Sequence, residues 1–203
     1  MLDFVRTWLF PPACAGCEAP GPALCAACVP PPGAALRFDV DGVPAFALAP
    51  YEGALRRAIV AMKRGERDPL DVFATLLESA PIDGVLVPLP TARRRAAERG
   101  FDQAVSLARR LALRRGIAVA EVLTKHGRSQ EGRGRRERLA AFGRFRIRTG
   151  VALPAAVTLL DDVCTTGATL QDAAHTLRFA GVQVRRIVVV ARSGGTSAAS
   201  ERS

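Results

Sequence analysis

Residues 157–170, VTLLDDVCTTGATL, leave the chain few ways to fold locally. Val157, Leu159 and Leu160, around Thr158, form an apolar run that ends in two adjacent acids, Asp161 and Asp162. Val163 and Cys164 follow, then the small-residue turn Thr165-Thr166-Gly167-Ala168-Thr169, and then a helical pattern. A short, β-rich run that ends in turn chemistry is a predicted buried strand. The turn carries backbone N–H groups and three hydroxyls to the mouth of a helix N-terminus. Unpaired donors and the helix dipole both favour a phosphate there. Carboxylates beside such a cradle repel the anion, so they need another partner. Sugar hydroxyls or a divalent cation fit. The plain alternative is a strand–turn–helix with incidental acids, but an acid pair at a strand end has no cheap structural use.

A second pattern lies near the start. Cys14-x-x-Cys17 and Cys25-x-x-Cys28 form two knuckles. Four thiolates at this spacing suit a tetrahedral Zn²⁺ with every position filled by protein, hence a structural site. Four buried thiols or a redox pair are the alternative. Metal binding to such sites is worth roughly 10–16 kcal/mol in peptides, enough to fold a module too small for its own core. The fifth cysteine, Cys164, sits in the phosphate turn. A helix N-terminus can activate a thiol, but the position is variable in the loop pattern and reads as inert.

Charge matters because the chain is strongly basic, with 29 Lys+Arg against 19 Asp+Glu. The only lysines are Lys63 and Lys125. Nine basic residues and two acids fall between Thr124 and Arg148, a local net of +7 out of +10. Such a run is either a solvated loop or a surface for polyanions. The opening MLDFVRTWLFPP is too short to span a bilayer and lacks the order of a signal peptide, so a short amphipathic helix and a cytoplasmic chain are expected.

The rest alternates strands and helices. A hairpin over 36–51 is predicted, with Asp41-Gly42 as its turn and Pro44 marking an edge strand. Helices are predicted over 51–65 (Leu55, Ala58, Ile59 and Met62 inward), from Pro69 to about Ala80 (Val72, Leu76 and Phe73 inward), from Phe101 to about Arg115, and after Thr169 (Leu170, Ala173, Ala174 and Leu177 inward). Strands are predicted over 83–90, 117–123, around 145–148, 157–163 and 184–192. The 194–203 tail, GGTSAASERS, reads as disordered. This order argues a parallel α/β sheet with ligands at the strand C-ends.

The run of apolar residues, Asp-Asp, two variable residues and Thr-Thr-Gly-x-Thr resembles the ribose-5-phosphate loop of type I phosphoribosyltransferases. The whole set is more specific: a four-Cys head, YEGALRRAIVAMKRG, VPLPTARRRAAERGFDQA, Gln130 with Arg138, and then the phosphoribosyl loop. Over about residues 8–193 it resembles the ComF/GntX family, whose members are phosphoribosyltransferase-like and linked with DNA uptake and competence for transformation. Two positions depart from that pattern. Asp102 stands where the family usually has Asn, and Ala141 stands where an Asn commonly follows the match to Arg138.

The resemblance implies an α/β fold of the type I phosphoribosyltransferase kind, a mostly parallel sheet flanked by helices. A small zinc-knuckle and β-hairpin module would occupy residues 1–50, the phosphoribosyltransferase-like domain 51–193 and the tail 194–203. It implies that Asp161 and Asp162 hold the ribose hydroxyls of phosphoribosyl pyrophosphate (PRPP) and carry catalysis by orienting the sugar. Thr165, Thr166, Gly167, Ala168 and Thr169 would hold the 5′-phosphate, and Mg²⁺ would accompany PRPP. The turn Pro90-Thr91, with Arg93 and Arg99, would receive pyrophosphate. Gln130, Arg133, Arg135, Arg136 and Arg138 would form a hood that also contacts DNA. Zn²⁺ would be held by Cys14, Cys17, Cys25 and Cys28. Candidate partners are a phosphoribosyl substrate, single-stranded DNA and competence helicase-type proteins. A non-catalytic single-strand DNA binder or nucleotide sensor on the same fold is the rival to a glycosyltransferase. Lys63 is either an anion contact or a solvated helix-end lysine, His126 an acid–base candidate or an incidental residue, and His175 a surface residue.

Overall fold

The computed structural model describes residues 12–92, 96–98, 100–125 and 143–194. Its order is β1 (Leu36–Val40), β2 (Val43–Pro50), α1 (Gly53–Lys63), α2 (Asp68–Leu76), β3 (Val85–Pro88), α3 (Gln103–Arg115), β4 (Leu123–Lys125), β5 (Phe145–Ile147), β6 (Ala156–Cys164), α4 (Ala168–Phe179) and β7 (Gln183–Arg192). A short 3-10 helix, Leu77–Ser79, continues α2. Five strands form one sheet in the order β1-β2-β7-β6-β3, and β4 and β5 form a separate antiparallel pair. Within the large sheet the β1–β2 pairing is antiparallel and the other three are parallel. The α/β class with a mostly parallel sheet is as expected.

Side chains alternate across a strand, and here both faces are covered. Phe46, Leu48, Leu160, Val188 and Val190 pack with α1, α2 and α3. Ala45, Ala47, Leu159, Ile187 and Val189 pack with α4 and the β4–β5 pair. That double burial explains the unbroken apolar run Ile187–Ala191 in β7. The cysteines Cys14 and Cys28 and the neighbouring Leu24 belong to the first of these cores, so the N-terminal knuckles pack on the α1 side of the sheet.

Several expectations shift. Pro44 begins an interior strand rather than an edge. It faces Asp39 of β1, and pairing with β7 starts one residue later at Ala45, so its missing N–H costs no ladder bond on that side. The edge is β1. In α2 Phe73 is buried as expected and Val72 and Leu76 pack partly buried against the same core, while Pro69, Leu70 and Ala74 are buried as well. The helix begins at Asp68, and its packing is shared with α3, which widens the inward face. Residues 117–122 form a single parallel bridge, Leu86 with Val119, instead of a full strand, and β4 starts only at Leu123. In α3 the buried residues are Gln103, Ala104, Leu107, Ala108, Leu111 and Ala112. Its arginines are tied to neighbours: Arg109 to Glu121, Arg110 to Asp71 and Arg114 to Glu78. The amphipathic start, residues 1–11, and the tail from 195 lie outside the described residues.

Two joints hold the site's elements. The first fixes the start of β3. The buried Thr158 hydroxyl donates to the Asp83 carbonyl and accepts the Asp83 N–H, both at 2.8 Å. Gly84 follows with φ 79°, and a Cβ there would lie 2.4 Å from the Ala156 carbonyl oxygen. The second fixes the hairpin to α4. Asp41, at φ 57°, accepts from Gln171 (3.2 Å), His175 Nε2 (2.6 Å) and Arg178 (3.1 Å). His175 is therefore a surface residue with a structural bond.

Gly84→Ala is expected to cost at least about 1–3 kcal/mol, because it combines a left-handed backbone with a backbone collision. Urea unfolding measures it, and an unchanged midpoint would contradict the joint. The hydrogen bond from His175, ahead of those from Gln171 and the Arg178 charge, holds the Asp41 carboxyl below its ordinary range, although burial opposes them. A depressed carboxyl stabilises the fold above its unfolded-state value and loses that contribution as pH falls through the lowered one. Asp41→Asn keeps a residue that tolerates the turn. It should be less stable than wild type at neutral pH, with the gap closing on acidification. A gap that is constant with pH would show that the latch is not electrostatic.

Candidate functional site

The strand β6 runs through both acids to Cys164, so Asp161 and Asp162 sit inside the strand rather than at its junction with the loop. Consecutive strand residues face opposite sides. Leu159 belongs to the α4 core and Leu160 to the α1–α3 core. Asp161 and Asp162 continue those two directions at the sheet's C-terminal rim. Lys63, the last residue of α1, places Nζ 2.9 Å from Asp162 Oδ2. Asp161 Oδ1 accepts the Asp162 backbone N–H at 2.8 Å. Burial first, and the Asp162 charge second, push the Asp161 carboxyl up to about 8, against the pull of that N–H, Lys125 and Lys63. The pair therefore couples a carboxyl that retains its proton near neutrality to a carboxylate paired with an ammonium. Such oxygens can both donate to and accept from hydroxyl groups.

The turn after β6 leads directly into α4. Thr165 and Thr166 are exposed, and Gly167 caps the helix at φ 80°. A Cβ on Gly167 would come within 3.3 Å of Val40 Cγ1, so the hairpin sits against the turn. The Thr166 hydroxyl accepts the Ala168 N–H at 3.4 Å. A cavity of about 170 Å³ opens between this turn and β1, lined by Cys164, Thr165, Thr166 and Gly167, by Gln171 and Arg192, and by Phe38 to Asp41. The Arg192 guanidinium lies 4.1 Å over the Phe38 ring. The turn, the helix mouth and Arg192 offer donors and positive charge to this recess, while Asp39 and Asp41 set two carboxylates on its β1 side. Burial pushes the Cys164 thiol up, which keeps it protonated and inert.

Thr169 accepts from Arg144 at 3.4 Å. Asp172, not singled out from the sequence, is buried and accepts the Gly143 and Arg144 N–H groups at 2.7 and 2.9 Å. It anchors the start of β5 on α4. An acid near a helix start looks like a dipole-favoured surface residue, so nothing in the pattern signals this use.

Pro90 and Thr91 follow β3, which pairs with β6, and the Leu89 N–H bonds the Leu160 carbonyl at 2.8 Å. The turn thus lies one strand away from the acids. Its Thr91 N–H donates to Asp102 Oδ2 at 2.7 Å, and Asp102 Oδ1 caps α3 by accepting the Val105 N–H. That donor is occupied by a side chain. Gln103 is buried and donates to the Met62 carbonyl at 3.1 Å. The Asp102-Gln103 step therefore ties together the Thr91 turn, α3 and the end of α1 that bears Lys63. Arg93, Arg99, Gln130, Arg133, Arg135, Arg136 and Arg138 lie outside the described residues, as do His126 and Ala141.

The four cysteines form a separate centre. The sulfurs of Cys14, Cys17, Cys25 and Cys28 all lie within 4.8 Å of one another, and the cluster could hold a zinc ion. Cys14 Sγ accepts the Gly16 and Cys25 N–H groups at 3.4 and 3.3 Å. Burial raises the Cys14 thiol, but the backbone donors outweigh it and bring it down to about 6. Burial pushes Cys28 up to about 12. Gly16 is required here, because a Cβ would lie 2.9 Å from both Cβ and Sγ of Cys28 and 3.0 Å from Ala54 Cβ. The Gly16 carbonyl also accepts from Arg57 of α1.

Among the described residues, no helix is long and apolar enough to cross a membrane. No family model matches the chain. A curated relative is the competence protein ComFC of Streptococcus pneumoniae (strain ATCC BAA-255 / R6), 34% identical over 98 residues. The match covers 48% of this chain and 43% of the relative, so it spans less than half the length of that protein. Over that stretch the chain, with its four-cysteine cluster and acid-pair strand–turn–helix, is similar to a ComF competence protein.

Proposed function

We propose that the chain binds PRPP or a related phosphoribosyl compound and serves a competence-related role in handling incoming DNA. The observation that carries this reading is the continuity of Asp161-Asp162 with the Thr165–Thr169 turn at the α4 N-terminus, beside a recess of about 170 Å³. One strand–turn–helix thus offers hydroxyl-binding oxygens and, a few residues on, an anion cradle. The similarity to a competence protein supports the biological setting.

In this reading the ribose hydroxyls bond to Asp161 and Asp162, while the 5′-phosphate takes the N–H groups and hydroxyls of residues 165–169. Transfer from the ribosyl carbon then depends on holding the sugar and neutralising the leaving pyrophosphate. Among the described residues the four cysteines are the one grouping of three or more potential metal ligands. In this reading Mg²⁺ would accompany PRPP and would supply charge neutralisation at the pyrophosphate. Pro90-Thr91, Arg93 and Arg99 are the proposed pyrophosphate side, and Gln130, Arg133, Arg135, Arg136 and Arg138 the proposed hood. The cysteine cluster holds one structural Zn²⁺ that fixes the N-terminal module on α1.

Calorimetric titration with PRPP and Mg²⁺ tests the first part. Asp161→Asn/Asp162→Asn should weaken binding by about 2–4 kcal/mol while the fold is retained, since one charge-assisted and one neutral hydrogen bond to the sugar are disturbed. Equal affinity in the double variant would overturn the ribose assignment. For the metal, elemental analysis of protein purified without added zinc should find one Zn per chain. The Cys14→Ser/Cys25→Ser variant should contain none, and a folded wild-type protein without metal would refute the zinc centre.

A further inference from the structure

Only two of the 29 cationic residues are lysines, and both lie beside the acid pair. Lys63 reaches Asp162 from α1 at 2.9 Å. Lys125, from β4 on the opposite face of the sheet, acts on Asp161 through its charge, with its ammonium 5.3 Å over the Phe145 ring. Everything around Lys63 holds it in place. It is the last residue of α1, and the adjacent carbonyl, that of Met62, is held by the buried Gln103. The side chain of Lys63 is about one third exposed and that of Asp162 about one sixth, so the pair sits at the rim, where a ligand could reach it.

Two carboxyl groups on successive residues repel when both are ionised, and burial of one makes them share protons. A shared proton also frees the second carboxyl to rotate toward its neighbour. A fixed ammonium on Asp162 favours its ionised form and holds its direction, which weakens both effects. We infer that Lys63 is a positioning residue of the sugar site: it holds the Asp162 carboxylate outward and separate from Asp161, so that the two acids grip two different hydroxyls of one ribose. This rests on the phosphoribosyl reading above, and it names a residue and a selectivity that the motif does not contain. The geometry implies discrimination: a sugar lacking one of the two hydroxyls loses one acid's grip, and without Lys63 that distinction collapses. The phosphate turn is on a different element from Lys63 and stays intact.

The test uses the full chain and three probes in calorimetric or competition titrations: ribose 5-phosphate, 2-deoxyribose 5-phosphate and inorganic phosphate. Wild type should prefer the ribose compound. Lys63→Met should weaken ribose 5-phosphate about tenfold, the size of one charge-assisted hydrogen bond, and lose most of the preference over the deoxy sugar. Inorganic phosphate should bind as in wild type, which reports an intact turn and fold. Lys63→Arg should restore the preference because it returns a cation to Asp162. A Lys63→Met protein that keeps the wild-type preference, or that binds ribose 5-phosphate more tightly, overturns the role of Lys63 while leaving the phosphoribosyl reading standing. Wild-type protein that binds inorganic phosphate but neither sugar phosphate any better overturns both.

Discussion

Everything at the site depends on β6 being buried on both faces. A strand packed between two helical layers has no freedom to rotate or slip, because a one-residue shift would exchange its two apolar sets. Leu159 and Leu160 pack into opposite cores, and the parallel partners β3 and β7 hold the strand on both edges. Asp161 and Asp162 inherit that rigidity. Acids on a loop would move apart to lower their repulsion, whereas acids in a clamped strand are held within reach of one another and of the turn that follows. The elevated Asp161 carboxyl is the electrostatic signature of that confinement.

The same clamp explains why residues far apart in sequence serve as supports. Asp102 and Gln103 are adjacent at the start of α3, and each reaches a different part of the site. Asp102 takes the Thr91 N–H, and Gln103 takes the Met62 carbonyl next to Lys63. A carboxylate accepts at both oxygens, so Asp102 can cap α3 and hold the Thr91 turn together. An Asn at this position has one acceptor oxygen and a donor amide, and could not make both bonds as they stand. The substitution relative to the family pattern therefore has a definite local consequence, an extra negative charge beside the turn proposed for pyrophosphate.

Much of this arrangement was legible in the residues, and the reasons differ by element. The β6–α4 unit could be read because apolar run, acid pair and Gly-containing turn each have a separate physical meaning that agrees with the next. The inward faces of α1 and α4 followed from helical periodicity, with Leu55, Ala58, Ile59 and Met62 on one and Leu170, Ala173, Ala174 and Leu177 on the other. The inward face of α2 was legible in part: Phe73, Val72 and Leu76 do pack on the core, but Pro69, Leu70 and Ala74 join them because α3 shares the burial. Residues 117–122 are apolar enough for a strand, but they meet Leu86 beyond the sheet's edge and make only one bridge. The supports of the site were hidden for a common reason. Thr158, Asp172, Asp102 and Gln103 are polar residues whose supporting partners lie 11 to 75 positions away, and no local pattern encodes such a partner.

α1 carries the remaining connection. Its first turns are pressed by the knuckle, through Ala54 against Gly16 and Cys28 and through Arg57 on the Gly16 carbonyl. Its last turn delivers Met62 to Gln103 and Lys63 to Asp162. A helix of 11 residues is about 16 Å long and transmits position with little bending over that span. Its whole inward face, from Leu55 to Met62, is buried in the same core as Cys14 and Cys28. The cysteine module and the acid pair are thus two ends of one packed body. The contacts that seat the sulfur cluster on α1 also set where the helix ends, and the helix end sets which oxygen of Asp162 meets a cation. The cysteine cluster can in this way govern the geometry of the acid pair without touching it.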